Sequence, residues 1–362
     1  LKKNNDDVNF LNILGLNYFE KKEVKKSENI YKKALLIDSN NVGVLNSLGR
    51  LFHESRNSKN AEKYFLKAYE LNNASYEIIN NLAGFYREEG QYDKALKFYE
   101  KAININPNNP SIINNLAKTF FDLNNIGKAE EYSLKALKIN PEDGNIQKIL
   151  SLIYLHKHDY IKGWKYFDGR LNLSDFVKRN SLMHHIKKKL YTKNKIKDDS
   201  RILVLREQGV GDEILYGTMY KDVLQNWKNV TIECDLRLKK LFFNSFYKYS
   251  KKFVELGTIS EKKQNIDKYD HVIYAGSLGK YFRKDANSFS AEPYLIPDKD
   301  LILKFKKNFE KYKGKYKIGI SWKSFKNRYA EEKSLELDHF KSLFKNSNLR
   351  FICLQYGNVK NE

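Results

Sequence analysis

Cysteine and proline are nearly absent from this chain, with two of the first and five of the second among 362 residues. Cys234 and Cys353 stand alone inside apolar runs, where a free thiol packs as a small hydrophobe. Both are expected in buried strands, and neither a disulfide framework nor a zinc site is implied. The histidines, His184 and His185 among them, do not fall at metal-ligand spacing from cysteines or acids, so no metal is expected. No apolar run reaches the length of about eighteen residues that a bilayer-spanning helix needs. Acidic excess is lacking as well: 66 Lys and Arg against 44 Asp and Glu leave a net charge of +22. Clustered cations gain affinity for phosphates by releasing counterions. Here the charge is spread along the chain with no recognised nucleic-acid module beside it, and nucleic acid is not an expected partner. No targeting segment is evident in a sequence that begins at Leu1, which sets a cytoplasmic location as the expectation. What the chain has is 41% hydrophobic and 14% aromatic residues, enough to build folded cores rather than a disordered coil.

An internal repeat organises the first half. Leu14-Gly15, Leu48-Gly49, Leu82-Ala83 and Leu116-Ala117 recur at a step of 34 residues. Tyr18, Phe52, Tyr86 and Phe120 keep the same step, as do Ala34, Ala68, Ala102 and Ala136, and Pro107 and Pro141 end two of the units. This pattern resembles the tetratricopeptide repeat family, in which each unit is a pair of antiparallel helices. Small residues let the two helices approach, and stacking neighbours buries the aromatic and leucine positions. A degenerate fifth unit is expected around Leu150, Tyr154, Gly163 and Phe167, capping the stack or packing on the C-terminal part of the chain.

Two residues before each repeat leucine stands an asparagine: Asn12, Asn46, Asn80 and Asn114, with Arg50, Arg87 and Lys118 near the same helix face. Carboxamides donate and accept, so such a row can hold an extended peptide by its backbone. The groove is therefore the expected site for a protein or peptide partner. The plainer alternative is a wet surface in an asparagine-rich chain.

From Leu171 to Ser200 the repeat stops in a lysine-rich stretch, read as a solvated connector or a helix over a domain joint, with phosphate steering as the alternative. After it come short apolar runs, Ile202 to Leu205, Val230 to Cys234, Phe253 to Leu256 and His271 to Ala275. Helical stretches run from Asp212 to Trp227 and from Leu236 to Tyr247. Strands alternating with helices predict a parallel sheet in a Rossmann-like domain. A second such unit starts at Lys317 to Trp322, passes a helix near Leu337 to Lys345 and reaches Arg350 to Leu354. A parallel sheet needs more than two strands, so the sequence is expected to continue past Glu362.

The turn after the first strand reads Glu207-Gln208-Gly209-Val210-Gly211-Asp212. Ile214 stands where a dinucleotide fingerprint has its third glycine, and no Walker-type lysine follows. With Pro293-Tyr294-Leu295, Gly319-Ile320-Ser321-Trp322, Lys333-Ser334 and Leu354-Gln355, this turn is similar to landmarks of bacterial tetratricopeptide-repeat proteins whose C-terminal half resembles two-lobed (GT-B) glycosyltransferases. The turn also resembles that of lipopolysaccharide heptosyltransferases. The resemblance implies sugar transfer from a nucleotide-sugar to a hydroxyl without a metal or cofactor, the repeats presenting the acceptor as in protein O-GlcNAc transferases. It implies Asp212 as the base, and Gln208, Gly209, Gly211, Trp322, Lys323, Lys333 and Ser334 as substrate contacts. For Asp212 the alternative is a helix-start carboxylate satisfying free amides. A non-catalytic scaffold with a degenerate α/β lobe is the competing function. The expected organisation is an α-solenoid over 1–170, a basic linker over 171–200, a Rossmann-like first lobe over 201–312 and an incomplete second lobe over 313–362.

Overall fold

The structure, a computed structural model, describes residues 7–179, 182–191, 197, 199–255, 263–322 and 334–355. It divides into two compact units, one comprising Leu1–Leu236 and Lys251–Glu292, the other Arg237–Ser250 and Pro293–Glu362.

The first unit opens with five helix pairs: α1 (Val8–Glu20) and α2 (Val24–Ile37), α3 (Val42–Glu54) and α4 (Ser58–Leu71), α5 (Tyr76–Glu88) and α6 (Tyr92–Ile105), α7 (Pro110–Asp122) and α8 (Ile126–Ile139), α9 (Gly144–His156) and α10 (Tyr160–Phe167). Local chemistry repeats as faithfully as the core. Asp7, Asn41, Ser75, Asn109 and Asp143, again 34 residues apart, each cap the first helix of a pair by accepting a backbone N–H. The turn between the two helices passes through the left-handed region at Lys22, Arg56, Gly90, Asn124 and His158, with φ between 57° and 72°. Only Gly90 takes that conformation without steric penalty.

Packing explains the sequence signature. Ala34, Ala68, Ala102 and Ala136 are wholly buried, as are Leu48 and Leu82. A Cβ on Gly15 would sit 2.4 Å from the Tyr31 ring, and one on Gly49 would sit 2.6 Å from Phe65. These glycines set how closely the paired helices approach.

Beyond the repeats, α11 (Ser174–Arg179) and α12 (Met183–Lys188) lead into a parallel sheet of β1 (Arg201–Leu205), β2 (Asn229–Cys234), β3 (Phe253–Glu255) and β4 (His271–Tyr274). The strand order is β3-β2-β1-β4, with Val204 of β1 paired to Ile232 on one side and Ile273 on the other. Strand β1 is buried from Ile202 to Leu205, as a central strand covered on both faces must be. The chain thus runs outward from β1 through β2 to β3, then returns to place β4 on the opposite side of β1. The helical stretch expected from Asp212 to Trp227 is two helices, α13 (Val210–Gly217) and α14 (Tyr220–Asn226).

Of the lysine-rich stretch, the described residues of α12 form a helix that packs on the sheet. Met183 and Ile186 of α12 are buried against Leu203, Leu205 and Val272. The backbone then edges β4, where Val272 donates to the Lys189 carbonyl and Tyr191 donates to that of Val272, both at 2.8 Å. Two lysines of the stretch are tied down: Lys187 Nζ donates to Asn172 Oδ1 at 2.9 Å, and Lys189 Nζ to the Tyr269 carbonyl at 2.7 Å.

In the second unit, helix Lys299–Glu310 precedes β5 (Tyr316–Ile320), which pairs in parallel with β6 (Leu349–Cys353). Cys234 is buried in β2, but Cys353 is exposed, because β5 and β6 form a two-stranded sheet with a largely uncovered surface. The expectation that both thiols are buried fails there.

Candidate functional site

The first candidate is the row of carboxamides on the first helices of the repeats. Asn12, Asn46 and Asn80 are half-buried, and each is bonded to the next repeat. Ser47 Oγ donates to Asn12 Oδ1 at 3.0 Å, Asn81 Nδ2 to Asn46 Oδ1 at 3.1 Å, and Asn115 Nδ2 to Asn80 Oδ1 at 3.1 Å. The row is a chain of inter-repeat hydrogen bonds whose donors sit 35 residues after their acceptors. Sequence reading found the acceptors and missed the donors, although the doublets Asn80-Asn81 and Asn114-Asn115 signalled them. Asn114 differs: it is 3% exposed and its Oδ1 has no hydrogen-bond partner among the described residues. The donor position of the next repeat is Ile149, which has nothing to give.

Around the middle of this row lies a cleft of about 440 Å³ lined by Asn46, Arg50, Tyr76, Glu77, Asn80 and Asn81. Arg87, expected near the same face, is held by Asp122 at 2.8 Å and Glu88 at 3.4 Å. Lys118 is half-buried with its Nζ 3.5 Å from Asn115 Oδ1. Burial, with help from Arg87 and Lys148, pushes the Lys118 ammonium below its ordinary pKa.

A second candidate lies where β1 and β4 end. Arg170, in the turn after α10, forms a two-pronged ion pair with Glu207, Nε to Oε2 at 2.8 Å and Nη2 to Oε1 at 2.7 Å. Both side chains are buried, at 6% and 5% exposure. Glu207 also accepts the Gly276 N–H, Ser277 Oγ accepts from Arg170 at 2.9 Å, and Ser277 donates to Asp168 at 2.6 Å. Burial alone would lower the Arg170 pKa, but the Glu207 carboxylate raises it. This network ties the fifth repeat to the ends of two neighbouring strands, and Trp164 reinforces it by donating to the Arg283 carbonyl at 2.7 Å. Sequence reading missed it because Arg170 and Glu207 lie 37 residues apart with no repeating signature.

Beside the network is a cleft of about 520 Å³, lined by Leu152, Phe167, Leu173, Phe176 and Tyr274 together with Lys148, Asp175, Arg206 and Gln208. It sits between the carboxyl ends of β1 and β4, where the strand order reverses, the usual location for ligands of open parallel sheets.

The turn itself is tightly held. Gln208 has φ 61°, and Arg206 donates to its carbonyl at 2.9 Å. Arg206 also donates to the fully buried Glu213 at 2.7 Å, and burial raises the Glu213 pKa against that pairing. Gly209 caps α13, and Asp212 Oδ2 accepts the Gly209 N–H at 3.0 Å. Asp212 is thus engaged in closing its own helix start. A Cβ on Gly211 would meet open space, so no packing demands that glycine.

The remaining expected contacts belong to the second unit. Trp322 is buried at 6% exposure, its backbone N–H donating to Gln355 Oε1 at 2.9 Å. Ser334 is half-buried. Lys323 and Lys333 lie outside the described residues. Among the described residues no group of three or more His, Cys, Asp or Glu could hold a metal ion, and no helix is long and apolar enough to cross a membrane.

Comparison with known proteins places the repeats. Tetratricopeptide repeat models match residues 8–41, 42–75 and 110–143, and a TPR repeat model matches 85–124. Protein FlbA of Caulobacter vibrioides is 24% identical over 174 residues, a match that covers 45% of this chain and spans 29% of that relative's length. Among solved structures, pilF of Pseudomonas aeruginosa is 19% identical, covers 51% of this chain and 87% of its own, and gives a TM-score of 0.43. MamA is 23% identical, with 44% and 92% covered and a TM-score of 0.37. YrrB, described as a TPR protein with an unusual peptide-binding site, is 18% identical, with 52% and 95% covered and a TM-score of 0.36. Residues 8–75 and 85–143 of this chain are tetratricopeptide repeats, a helical scaffold of the protein-interaction type.

Proposed function

We propose that this chain is a peptide-holding scaffold, whose repeats take an extended segment of a partner protein along Asn12, Asn46 and Asn80, with Asn114 at the buried end of the row. The observation carrying this reading is the pairing of carboxamides across repeats beside the 440 Å³ cleft. A carboxamide offers two N–H donors and an oxygen with two lone pairs, so a pair joined by one bond retains donors and acceptors for a peptide main chain. Inter-repeat bonds also fix the rotamers, which lowers the entropy lost on binding. Short random peptides selected on the full chain and measured by calorimetry test this. The double variant Asn46→Ala, Asn80→Ala should weaken every selected peptide by about tenfold, at roughly 1 kcal/mol or less for each of a few lost hydrogen bonds. Unchanged affinity in that variant would sink the reading.

A second reading is transfer of a sugar from a nucleotide-sugar to a hydroxyl, favoured by the cleft at the reversal point of the sheet beside Gln208, Gly209 and Gly211. Asp212 would then act as base, with Trp322, Lys323, Lys333 and Ser334 on the donor side. The Gly209 N–H engages only Oδ2 of Asp212, so the base role would fall to the other carboxylate oxygen. A calorimetric screen of UDP-, GDP- and ADP-sugars separates the two: saturable binding of one donor supports transfer, and heats at the level of dilution with every donor support the scaffold.

A further inference from the structure

The strand-end cleft carries charges that the protein itself leaves unanswered. Its lining lies wholly within the first unit and draws on α9, α11, the turn after β1 and the end of β4. Of its cations, Arg170 is saturated: its five N–H groups meet both oxygens of Glu207, Ser277 Oγ, Asp168 Oδ1 and the Phe167 carbonyl. Arg206 is engaged by Glu213 and the Gln208 carbonyl, and Glu207 by Arg170 and the Gly276 N–H. Two charges on the lining remain. Lys148 on α9 and Asp175 on α11 are exposed, and among the described residues neither side chain forms an ion pair or a hydrogen bond, with the other or with any third group.

The rest of the lining is largely apolar, and its rings are held in place. The Arg170 guanidinium lies over the Phe167 ring at 4.3 Å, and Phe176 meets Tyr274 edge-on with centroids 5.1 Å apart. Ser151, on the same cleft, is 1% exposed, and its Oγ has no hydrogen-bond partner among the described residues. A buried hydroxyl without a partner is unfavourable, and a polar ligand atom would relieve it.

These features select a class of ligand. A multiply charged anion such as a diphosphate would meet repulsion from Asp175 as well as attraction to Lys148, and a purely apolar ligand would answer neither charge. A zwitterion answers both. Fixed aromatic rings suit a large apolar group, and 520 Å³ falls within the range of about 300–1,000 Å³ usual for small-ligand sites.

We propose that the strand-end cleft binds a free amino acid with a large apolar side chain, its carboxylate towards Lys148, its ammonium towards Asp175 and its side chain among Phe167, Phe176 and Tyr274. The site is independent of the asparagine row, and its occupant differs from the nucleotide-sugar of the second reading. Seated there, the amino acid touches both the last repeat and the sheet, so its binding stabilises the first unit.

The test is calorimetric titration of the full chain with single amino acids, alongside thermal unfolding in their presence. L-Phenylalanine or L-leucine should bind saturably and raise the unfolding midpoint, with L-alanine, L-lysine and L-glutamate at least about tenfold weaker. Lys148→Ala, altered at an exposed position, should weaken L-phenylalanine about tenfold while leaving L-phenylalaninamide, which lacks the carboxylate, within about twofold of its wild-type affinity. Asp175→Ala should do the same for L-phenylalanine against N-acetyl-L-phenylalanine, which lacks the ammonium. Saturable binding that ignores both substitutions would put the ligand elsewhere and overturn the proposal. Tighter binding of the amide or the N-acetyl form than of the free amino acid also overturns it, pointing to a residue within a peptide chain. Heats at the level of dilution with every amino acid overturn it outright.

Discussion

The repeats and the sheet end solve the problem of polar groups in a packed interior in opposite ways. In the repeats the polar work is divided: caps at Asp7, Asn41, Ser75, Asn109 and Asp143, and single hydrogen bonds linking Asn12, Asn46 and Asn80 to the next unit. At the strand ends it is concentrated in one buried charge pair, Arg170–Glu207, with Gly276, Ser277 and Asp168 completing it. A distributed network tolerates the loss of any member. A concentrated one fails at once, because removing one partner strands the other charge out of water.

That contrast sets the order of expected effects. Glu207→Ala leaves the Arg170 guanidinium and the Gly276 N–H buried without their acceptor, and should destabilise the first unit by about 3–5 kcal/mol in urea denaturation. Replacing the pair together, Arg170→Met with Glu207→Leu, should recover most of that loss, whereas equal damage from the single and double variants would show that the charges are not the cause. A smaller change of opposite sign is expected in the repeats. Arg56 holds φ 59° in the turn between α3 and α4, where the third repeat has Gly90. Arg56→Gly should therefore raise stability by about 1 kcal/mol through relief of left-handed strain; a fall in the denaturation midpoint would place the turn under some other control. The least effect belongs to the sheet's solvent edge. Hydrogen bonds from Arg201 hold the Asp270 carboxyl at about 2, below its ordinary value of 3.8. Because the folded value is the lower one, this contribution is present above about pH 4 and is lost as pH falls through about 2. The pair is exposed, so Asp270→Asn should cost only about half a kcal/mol at neutral pH and nothing at pH 2, a convergence that paired acid titrations would reveal or refute.

The same contrast explains what was legible in the sequence. Each repeat reuses one packing solution, so Gly49 opposite Phe65 and the buried alanines print a period that needs no structure to read. The strands were legible as apolar runs because β1, β2 and β4 are buried. The donors of the ladder were half legible: the asparagine acceptors fell on the 34-residue period, but their partners sit one residue off it, on the neighbouring helix. Arg170 was illegible, standing in a stretch where the period had ended and meeting a carboxylate distant in the chain. The break between α13 and α14 and the exposure of Cys353 were also set by tertiary surroundings that local composition does not carry.

The central claim is that the repeats read a peptide's main chain. It is tested most directly by taking one selected peptide and placing N-methyl groups on successive backbone nitrogens, with affinity measured by fluorescence anisotropy. The account predicts losses of about tenfold at the nitrogens facing Asn46 and Asn80, through a removed donor and an added clash, while serine in place of the peptide's side chains stays within about twofold. Tolerance of every N-methyl group, with binding lost instead on the serine swaps, would contradict it.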